Sequence, residues 1–492
     1  MSQVTKQSVY NSIFSYVGIV IGYVNTILLF PVFLQPDEYG LTRVLTAAGL
    51  VFSNFCQLGA TSIAIKFFPY FKNKSTHHNG FLTFLLILLG IGFLLTSLGF
   101  YLFQDIIIAA YSKDSGLFAP NFNYIYVIVF FMSFFNVLDA YLRANFKTIW
   151  QTFLRTVMVR SLFTISVLLY YYKFIDFNAF IGIYIFAYGI ICLVLLLYTI
   201  YLGHLKITKP VITKKQLKQI ANFGFYAISG TGTAFMTNYI DVLMVGSMAN
   251  LEKAAVYSVA FYIGSVISVP FQSYSKIIAA VISEAWKNND LKQIDSIYKS
   301  SSNNQMIIGG LLFLGIWLNI DNLFEFLPEN YQAGKIIVIL IALGKLFDVI
   351  TGTNGIIIQF SNYFKYILWI NILLFILTVS TNYLLIPKYG IEGAAIATLI
   401  SIVTINTLRM GLIYWFNKIG PFNIKSIYII LIFTVTALIV YWIPKFENIF
   451  IDIILRSLII TIVYSSLTYF SKVSTEFNSL VIKALKTLKI SN

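Results

Sequence analysis

The sequence predicts an all-α integral membrane protein, and three observations carry that reading: composition, the length of the apolar runs, and the placement of basic residues. Of 492 residues, 58% are hydrophobic and 11% charged, with a mean hydropathy of +0.81. Soluble domains are roughly 25% charged. A spanning helix takes about 20 mostly apolar residues, whereas a membrane β-strand alternates over about 10. The runs here are long and continuous, so the spans are helices.

Apolar runs bounded by Pro, Gly, Asn and charge give about 14 transmembrane helices. Span 1, 9–34, is too long for the apolar core of a signal peptide and lacks a small-residue cleavage site followed by polar chain, so it is expected to be retained. A short turn near residue 40 leads into span 2, 41–65. Spans 3 (80–103) and 4 (121–142) flank Gln104 to Pro120, a loop too short to fold as a domain. Spans 5 (154–172) and 6 (178–201) meet at a tight turn near 175. The basic stretch Gly203 to Ile220 precedes span 7 (221–245) and span 8 (254–281), where Pro270 removes an i to i−4 hydrogen bond and is expected to kink the helix. Span 9 (305–320) follows Ser283 to Asn304, and span 10 covers 336–359. Spans 11 (366–386) and 12 (391–416) are joined through "LLIPKYGIEGAAIATLIS", Leu384 to Ser401. In it Pro387 ends one helix, Gly390 and Gly393 permit a tight turn, and Gly393, Ala397 and Ser401 make a small-residue stripe for close helix approach. Spans 13 (427–443) and 14 (449–471) precede "KVSTEFNSLVIKALKTLKISN", a mildly amphipathic tail suited to an anionic lipid surface.

With the N-terminus inside, 24 of the 34 lysines and arginines fall in cytoplasmic segments and 6 in outside turns. This positive-inside bias predicts an even number of spans with both termini cytoplasmic, and it accounts for the net charge of +15 without a nucleic-acid partner. A weak internal echo at a spacing of about 215 residues sets Asn25 opposite Asp241. It predicts two pseudo-symmetric six-helix lobes, 1–205 and 206–420, in the same orientation with a site between them, and two added C-terminal helices with a tail, 421–492.

There is no G-x-x-x-x-G-K-[ST], HExxH or CxxC, and the three histidines lie in predicted loops, so neither ATP hydrolysis nor a metal centre is expected. The functional residues are sought among polar groups inside spans, where charge is costly and faces protein or water. Lys276, six residues after Pro270 in span 8, and Arg43, in span 2, are the candidate substrate-binding cations, with Asn25 of span 1; the alternatives are snorkelling toward the cytoplasm for Lys276 and interfacial snorkelling with a local ion pair to Asp37 or Glu38 for Arg43. Asp241 of span 7 is the candidate ion-coupling residue, and a helix-helix hydrogen bond is the alternative for it. Lys345 with Asp348, Asp452 with Arg456, and Asp139 with Arg143 have spacings that favour self-neutralising pairs. Gly18 and Gly22 form a GxxxG packing motif.

"IPKYGIEGAAIAT" resembles the hairpin between spans 11 and 12 of the Wzx-type O-antigen and capsule repeat-unit flippases of the multidrug/oligosaccharidyl-lipid/polysaccharide superfamily. "PVFLQPDEYGLTRVLTAAGLV", "LGATSIAIKFF" and "NYIDVLMVGSMANLEKAAVYSVAFYI" resemble their turn after span 1, the end of span 2 and the junction of spans 7 and 8. The resemblance runs from about residue 9 to 416. It implies an alternating-access flippase of the bacterial cytoplasmic (inner) membrane, not an enzyme, without cofactors beyond a coupling cation, H+ or Na+. The cargo it implies is an undecaprenyl-diphosphate-linked oligosaccharide moved from the cytoplasmic to the periplasmic leaflet, with polysaccharide assembly proteins as partners. In such a cleft Lys276 and Arg43 would meet the diphosphate, since cations pair well with phosphate oxygens in low dielectric. Span 1 departs from related lipid II flippases, whose clefts carry several arginines in spans 1, 2 and 8, in holding Asn25 at depth. That departure would suit a neutral or weakly charged oligosaccharide. The alternatives are a multidrug/cation antiporter of the same superfamily and a membrane polysaccharide polymerase; short outside loops and the lack of a carboxylate cluster argue against the polymerase.

Overall fold

A computed structural model describes residues 3–73, 77–111, 116–203, 205, 207–228 and 233–487, and among them the regular structure is helical. Hydrocarbon offers no water to backbone N–H and C=O groups, so a helix, which pairs them internally, is the answer for such apolar runs. The chain forms two compact units, Met1–Ser258 and Val259–Asn492.

The first unit opens with α1 (Gln3–Tyr23), a π-helical segment Val24–Leu29 and α2 (Phe30–Phe33). Then follow α3 (Pro36–Cys56), α4 (Ala60–Phe71), α5 (Phe81–Tyr111), α6 (Phe118–Asn121), α7 (Tyr124–Ala144) and α8 (Ile149–Phe153). A second π-helical segment, Leu154–Met158, separates α8 from α9 (Val159–Tyr171), and α10 (Phe177–Tyr201), α11 (Lys214–Ala227) and α12 (Thr233–Met248) complete the unit. Helix α13 (Leu251–Gly264) crosses the division between the units. Helix α3 packs on α7 and α12, and α10 on α7 and α9, around Val44, Leu45, Ile128, Leu138, Ile185 and Val245, all essentially inaccessible. A Gln35/Glu38 capping box starts α3. Gly40 lets α3 approach the backbone of Leu251, because a side chain there would collide with the Leu251 carbonyl. Of the GxxxG pair, Gly18 faces Thr156, whose carbonyl would lie 2.5 Å from an added Cβ.

The second unit continues through a 3₁₀ turn, Ser265–Ser268, to α14 (Val269–Lys287), α15 (Leu291–Trp317), α16 (Ile320–Glu325), α17 (Gly334–Ile350) and α18 (Asn354–Phe360). Pro270 occupies the second position of α14, where its missing N–H costs no bond, so the break expected at the proline falls instead in the 3₁₀ turn before it. Helix α19 (Tyr366–Asn417) spans 52 residues in its hydrogen bonding, yet Gly390 leaves helical geometry at φ 58°, ψ −136°. A side chain at Gly393 would collide with the Leu385 carbonyl, eight residues earlier, so the chain doubles back there. The stripe of Gly393, Ala397 and Ser401 is buried. Helices α20 (Ile424–Tyr441), α21 (Ile449–Phe470) and α22 (Thr475–Thr487) end the chain. α20 and α21 dock on α15 through Met306, Ile307, Leu314, Ile429, Ile432, Val440, Ile460 and Tyr464.

Among the described residues ten helices are long and apolar enough to cross a membrane, eleven if the bent pair α17 and α18 is one span. This is fewer than the fourteen expected. α19 is one of the ten although its chain reverses, α12 is too short, and the Ser-Asn-Gln tract Ser300–Gln305 lowers the hydropathy of α15. The protein is a multi-pass membrane protein, and exposed side chains on the outer faces, such as Leu94, Ile106, Leu197, Leu431 and Ile462, are apolar as contact with lipid tails requires.

The buried charge on α21 is fully satisfied. Arg456 Nε donates to Asp452 Oδ2 at 2.7 Å and its Nη2 to the Ile443 carbonyl at 3.0 Å. Asp452 also accepts from the Phe446 amide at 3.0 Å and from Asn322. Removing one partner strands the other charge away from water, so Arg456→Ala is expected to cost about 3–5 kcal/mol of stability. Thermal unfolding in detergent measures it, and an unchanged midpoint would show that the pair is not needed.

Candidate functional site

The first unit gathers polar side chains between α3, α10, α12 and α13. Thr42, Arg43 and Thr46 lie on one stretch of α3, and Tyr184 and Tyr188, four residues apart, share a face of α10. The Thr46 and Tyr184 hydroxyls are 3.0 Å apart. Arg43 is half-buried and acts electrostatically on both Tyr184 and Tyr188; Tyr239 of α12 acts on Tyr188 as well. Two residues further along α12, Asp241 is buried and accepts a 3.0 Å hydrogen bond from the Tyr257 hydroxyl of α13. Helix α12 is held against its neighbours by Tyr111, whose hydroxyl donates to the Leu243 carbonyl at 2.8 Å. Arg43 thus sits among the phenols of Tyr184 and Tyr188, with Asp241 buried on the neighbouring helix α12. A guanidinium there can pair with an oxyanion.

Asn25 has a different setting. It is buried in the first π-helical segment, where its Nδ2 donates to the Arg160 carbonyl at 2.8 Å and its Oδ1 accepts from the Thr164 hydroxyl at 2.8 Å. Arg160 in turn donates to the Gly18 carbonyl. Both ends of the amide are consumed in joining span 1 to α9, next to the second π-helical segment. Lys276 belongs to the second unit and is exposed on α14. Asn25, Arg43 and Asp241 therefore share the first unit, and Arg43 and Asp241 lie on helices packed against each other.

The second unit has a polar knot that the sequence reading did not anticipate as a site. Helices α17 and α18 meet at a 45° bend, where Gly352 adopts φ 68°. Around it Asn406 of α19 donates to Asp348 Oδ1 at 2.8 Å and accepts from Thr351 at 3.2 Å and Asn354 at 2.9 Å. Asp348 does not form a contact pair with Lys345, three residues away; it faces Asn406 and Arg409 instead. The tract Thr351–Gly355, TGTNG inside an apolar run, is the sequence signal for this bend. For the first-unit cluster the signal is the paired four-residue spacing of Thr42/Thr46 and Tyr184/Tyr188. The expected neutralisation of Asp139 is present and extended: Arg143 lies 3.1 Å and Arg155 3.2 Å from its Oδ2.

No protein-family model matches the sequence. A probable low-salt glycan biosynthesis flippase, Agl15, of Haloferax volcanii is 21% identical over 195 residues, which is 39% of this chain and 41% of that protein. The chain thus spans less than half the length of this curated relative. Among solved structures, the lipid II flippase MurJ in an inward closed conformation aligns over 96% of this chain and 100% of its own, with a TM-score of 0.75 at 15% identity. A multidrug resistance MATE family transporter of the MOP superfamily, inward-facing, aligns over 84% of this chain and 94% of its own, with a TM-score of 0.63 at 14% identity. The chain has the fold these proteins share.

If the Asn25 amide joins helices, Asn25→Ala removes both hydrogen bonds between span 1 and α9 at this point, leaving the Thr164 hydroxyl and the Arg160 carbonyl only each other, and should cost about 1–3 kcal/mol of stability. Thermal melting in detergent reads this. A normal melting point with weakened ligand binding would return Asn25 to the binding residues.

Proposed function

We propose that this protein is a lipid-linked oligosaccharide flippase, moving undecaprenyl-diphosphate-linked polysaccharide repeat units from the cytoplasmic to the periplasmic leaflet by alternating access. The observation that carries the reading is the full-length likeness to a lipid II flippase, covering 96% of this chain, joined by the sequence similarity to a probable glycan flippase. In this reading the chain lies in the bacterial cytoplasmic membrane with both termini cytoplasmic and works beside polysaccharide assembly proteins. Mechanistically, Arg43 is the first-unit cation that would meet the diphosphate, with the partly exposed Tyr188 of α10 beside it. Lys276, exposed on α14, would be a cargo-binding cation of the second unit. Asp241 would be the coupling site for H+ or Na+.

The alternative, cation-coupled drug export, is favoured by the buried Asp241 and the likeness to a MATE transporter. The two separate in the cell. Deleting the gene should abolish surface polysaccharide and accumulate lipid-linked repeat units on the cytoplasmic leaflet; intact polysaccharide with raised sensitivity to cationic dyes would establish the exporter instead. Arg43→Gln should lower flipping by about tenfold or more at unchanged expression, the loss expected for one charge-assisted phosphate contact.

A further inference from the structure

Two stretches of the first unit carry lysines without any carboxylate to balance them. No aspartate or glutamate occurs between Tyr39 and Gln104 or between Phe177 and Ile240, yet three lysines fall within 66–74 and five within 206–218. Those among the described residues, Lys66, Lys72, Lys209, Lys214, Lys215 and Lys218, are all exposed, and none has a described carboxylate oxygen within 4.0 Å. The polar segment of the second unit is built otherwise. Over Ser283 to Asn304, Lys287, Lys292 and Lys299 alternate with Glu284, Asp290 and Asp295, and Lys299 Nζ lies 2.5 Å from Asp295 Oδ2.

The fold gathers the two stretches onto one surface. The Val211 amide donates to the Asn79 carbonyl at 3.0 Å and the Thr208 amide to the Thr83 hydroxyl at 3.2 Å, so the segment between α10 and α11 lies across the turn between α4 and α5. Gly80 makes room for it, since an added Cβ would stand 2.7 Å from the carbonyls of Thr208 and Lys209. On the other side α11 rests on α4, and Lys66 Nζ stands 3.8 Å from the centroid of the Phe223 ring. Lys214 and Lys215 occupy the first turn of α11, which holds no acidic residue, so they add charge where the helix dipole is already positive and favours an anion. Apolar side chains are exposed beside the lysines: Ile65 and Tyr70 on α4, Val211 before α11, and Leu217, Phe225 and Tyr226 on α11. Lys214, Lys218 and Phe225 share one face of α11, with about 10 Å of helix between Lys218 and Phe225. Charge at one end of a stripe and an aromatic ring deeper along it is the pattern of a helix entering a bilayer through its headgroups.

We propose that this surface, formed by the α4–α5 turn, the segment Ile207–Thr213 and the start of α11, is a docking surface for the headgroups of anionic phospholipids in the surrounding bilayer. Clustered lysines next to a spanning helix attract an anionic leaflet, and the exposed apolar side chains among them suit acyl chains better than the polar surface of an acidic protein. The docked lipid would hold the segment that joins α10 to α11 at the membrane surface. The proposal concerns bilayer lipid and does not depend on which cargo is carried.

The test titrates the purified full chain in neutral detergent with dioleoylphosphatidylglycerol or dioleoylphosphatidylcholine and counts bound lipids by native mass spectrometry. Wild type should prefer phosphatidylglycerol. The triple variant Lys214→Gln, Lys215→Gln, Lys218→Gln should raise the Kd for phosphatidylglycerol by about tenfold or more and leave phosphatidylcholine unchanged. The same three positions changed to arginine should keep the preference. A second triple variant, Lys287→Gln, Lys292→Gln, Lys299→Gln, removes as much charge from the balanced segment and should leave the preference intact. Lys66→Gln reads the patch from α4, should α11 not tolerate its triple change, and is expected to weaken phosphatidylglycerol binding about fivefold. Equal binding of the two lipids by wild type overturns the proposal. So does equal loss in both triple variants, which would make the preference a matter of net charge. A polyglutamate peptide that binds wild type more tightly than phosphatidylglycerol, and loses that binding in the α11 variant, would assign the surface to an acidic protein and overturn the lipid assignment.

Discussion

The scarcity of water inside a bilayer governs this molecule. Each polar group within a helix has to find its partner in the chain itself, because the surrounding hydrocarbon supplies none. Asp452 shows the constraint met in full, with donors from Arg456, Asn322 and the Phe446 amide converging on one carboxylate. Asn25 spends both ends of its amide on Arg160 and Thr164, and Asn406 spends its own on Asp348, Thr351 and Asn354. Polar side chains at depth therefore act first as fasteners between helices, and a residue with unused capacity stands out against that background.

The same constraint explains where the helices break. A π-helical segment, a bend or a left-handed glycine frees backbone groups, and such breaks persist where side chains or neighbouring backbone take them up. The π-helical segment Val24–Leu29 contains Asn25, and the one at Leu154–Met158 carries Thr156 against the backbone beside Gly18. The bend between α17 and α18 is surrounded by Ser301, Ser302, Thr351, Thr353 and Asn354, with the Ser302 hydroxyl donating to the Ile350 carbonyl at 2.6 Å. Irregular backbone and polar side chains thus occur together. The polar groups that serve function are displayed from these same regions because the helix geometry there is already opened.

Much of the fold was legible in the sequence because hydrophobicity is a property of single residues summed along a run. The apolar spans, the reversal at Gly390 and the Gly18 contact follow from residues whose meaning is local: long apolar side chains, a glycine, a proline. The site was less legible because its members are set by which helix faces meet. Nothing near Arg43 in the chain announces Tyr188 of α10 or Tyr239 of α12, and the pairing of Asp348 with Asn406 spans 58 residues. Spacing rules along one helix also mislead when a neighbouring helix competes. Lys345 and Asp348 are correctly placed for a pair, but Asn406 approaches from α19 and takes the carboxylate. The π-helical segments were invisible for another reason: over six residues, an apolar pattern of period 3.6 and one of period 4.4 are indistinguishable.

Lys276 and Arg409 show what burial adds to a reading by residue type. Lys276 draws attention in the sequence because it follows Pro270, yet that proline begins α14 and the side chain is exposed, where an ammonium on a flexible stem can reach water or a headgroup at small cost. Arg409 lacks that freedom: it is half-buried, and the carboxylate that acts on it, Asp348, is also bonded to Asn406. A charge that can relax toward water says little about its surroundings, whereas a half-buried one has to be balanced by the groups packed around it, as Arg409 is by Asp348 across the contact of α17 with α19.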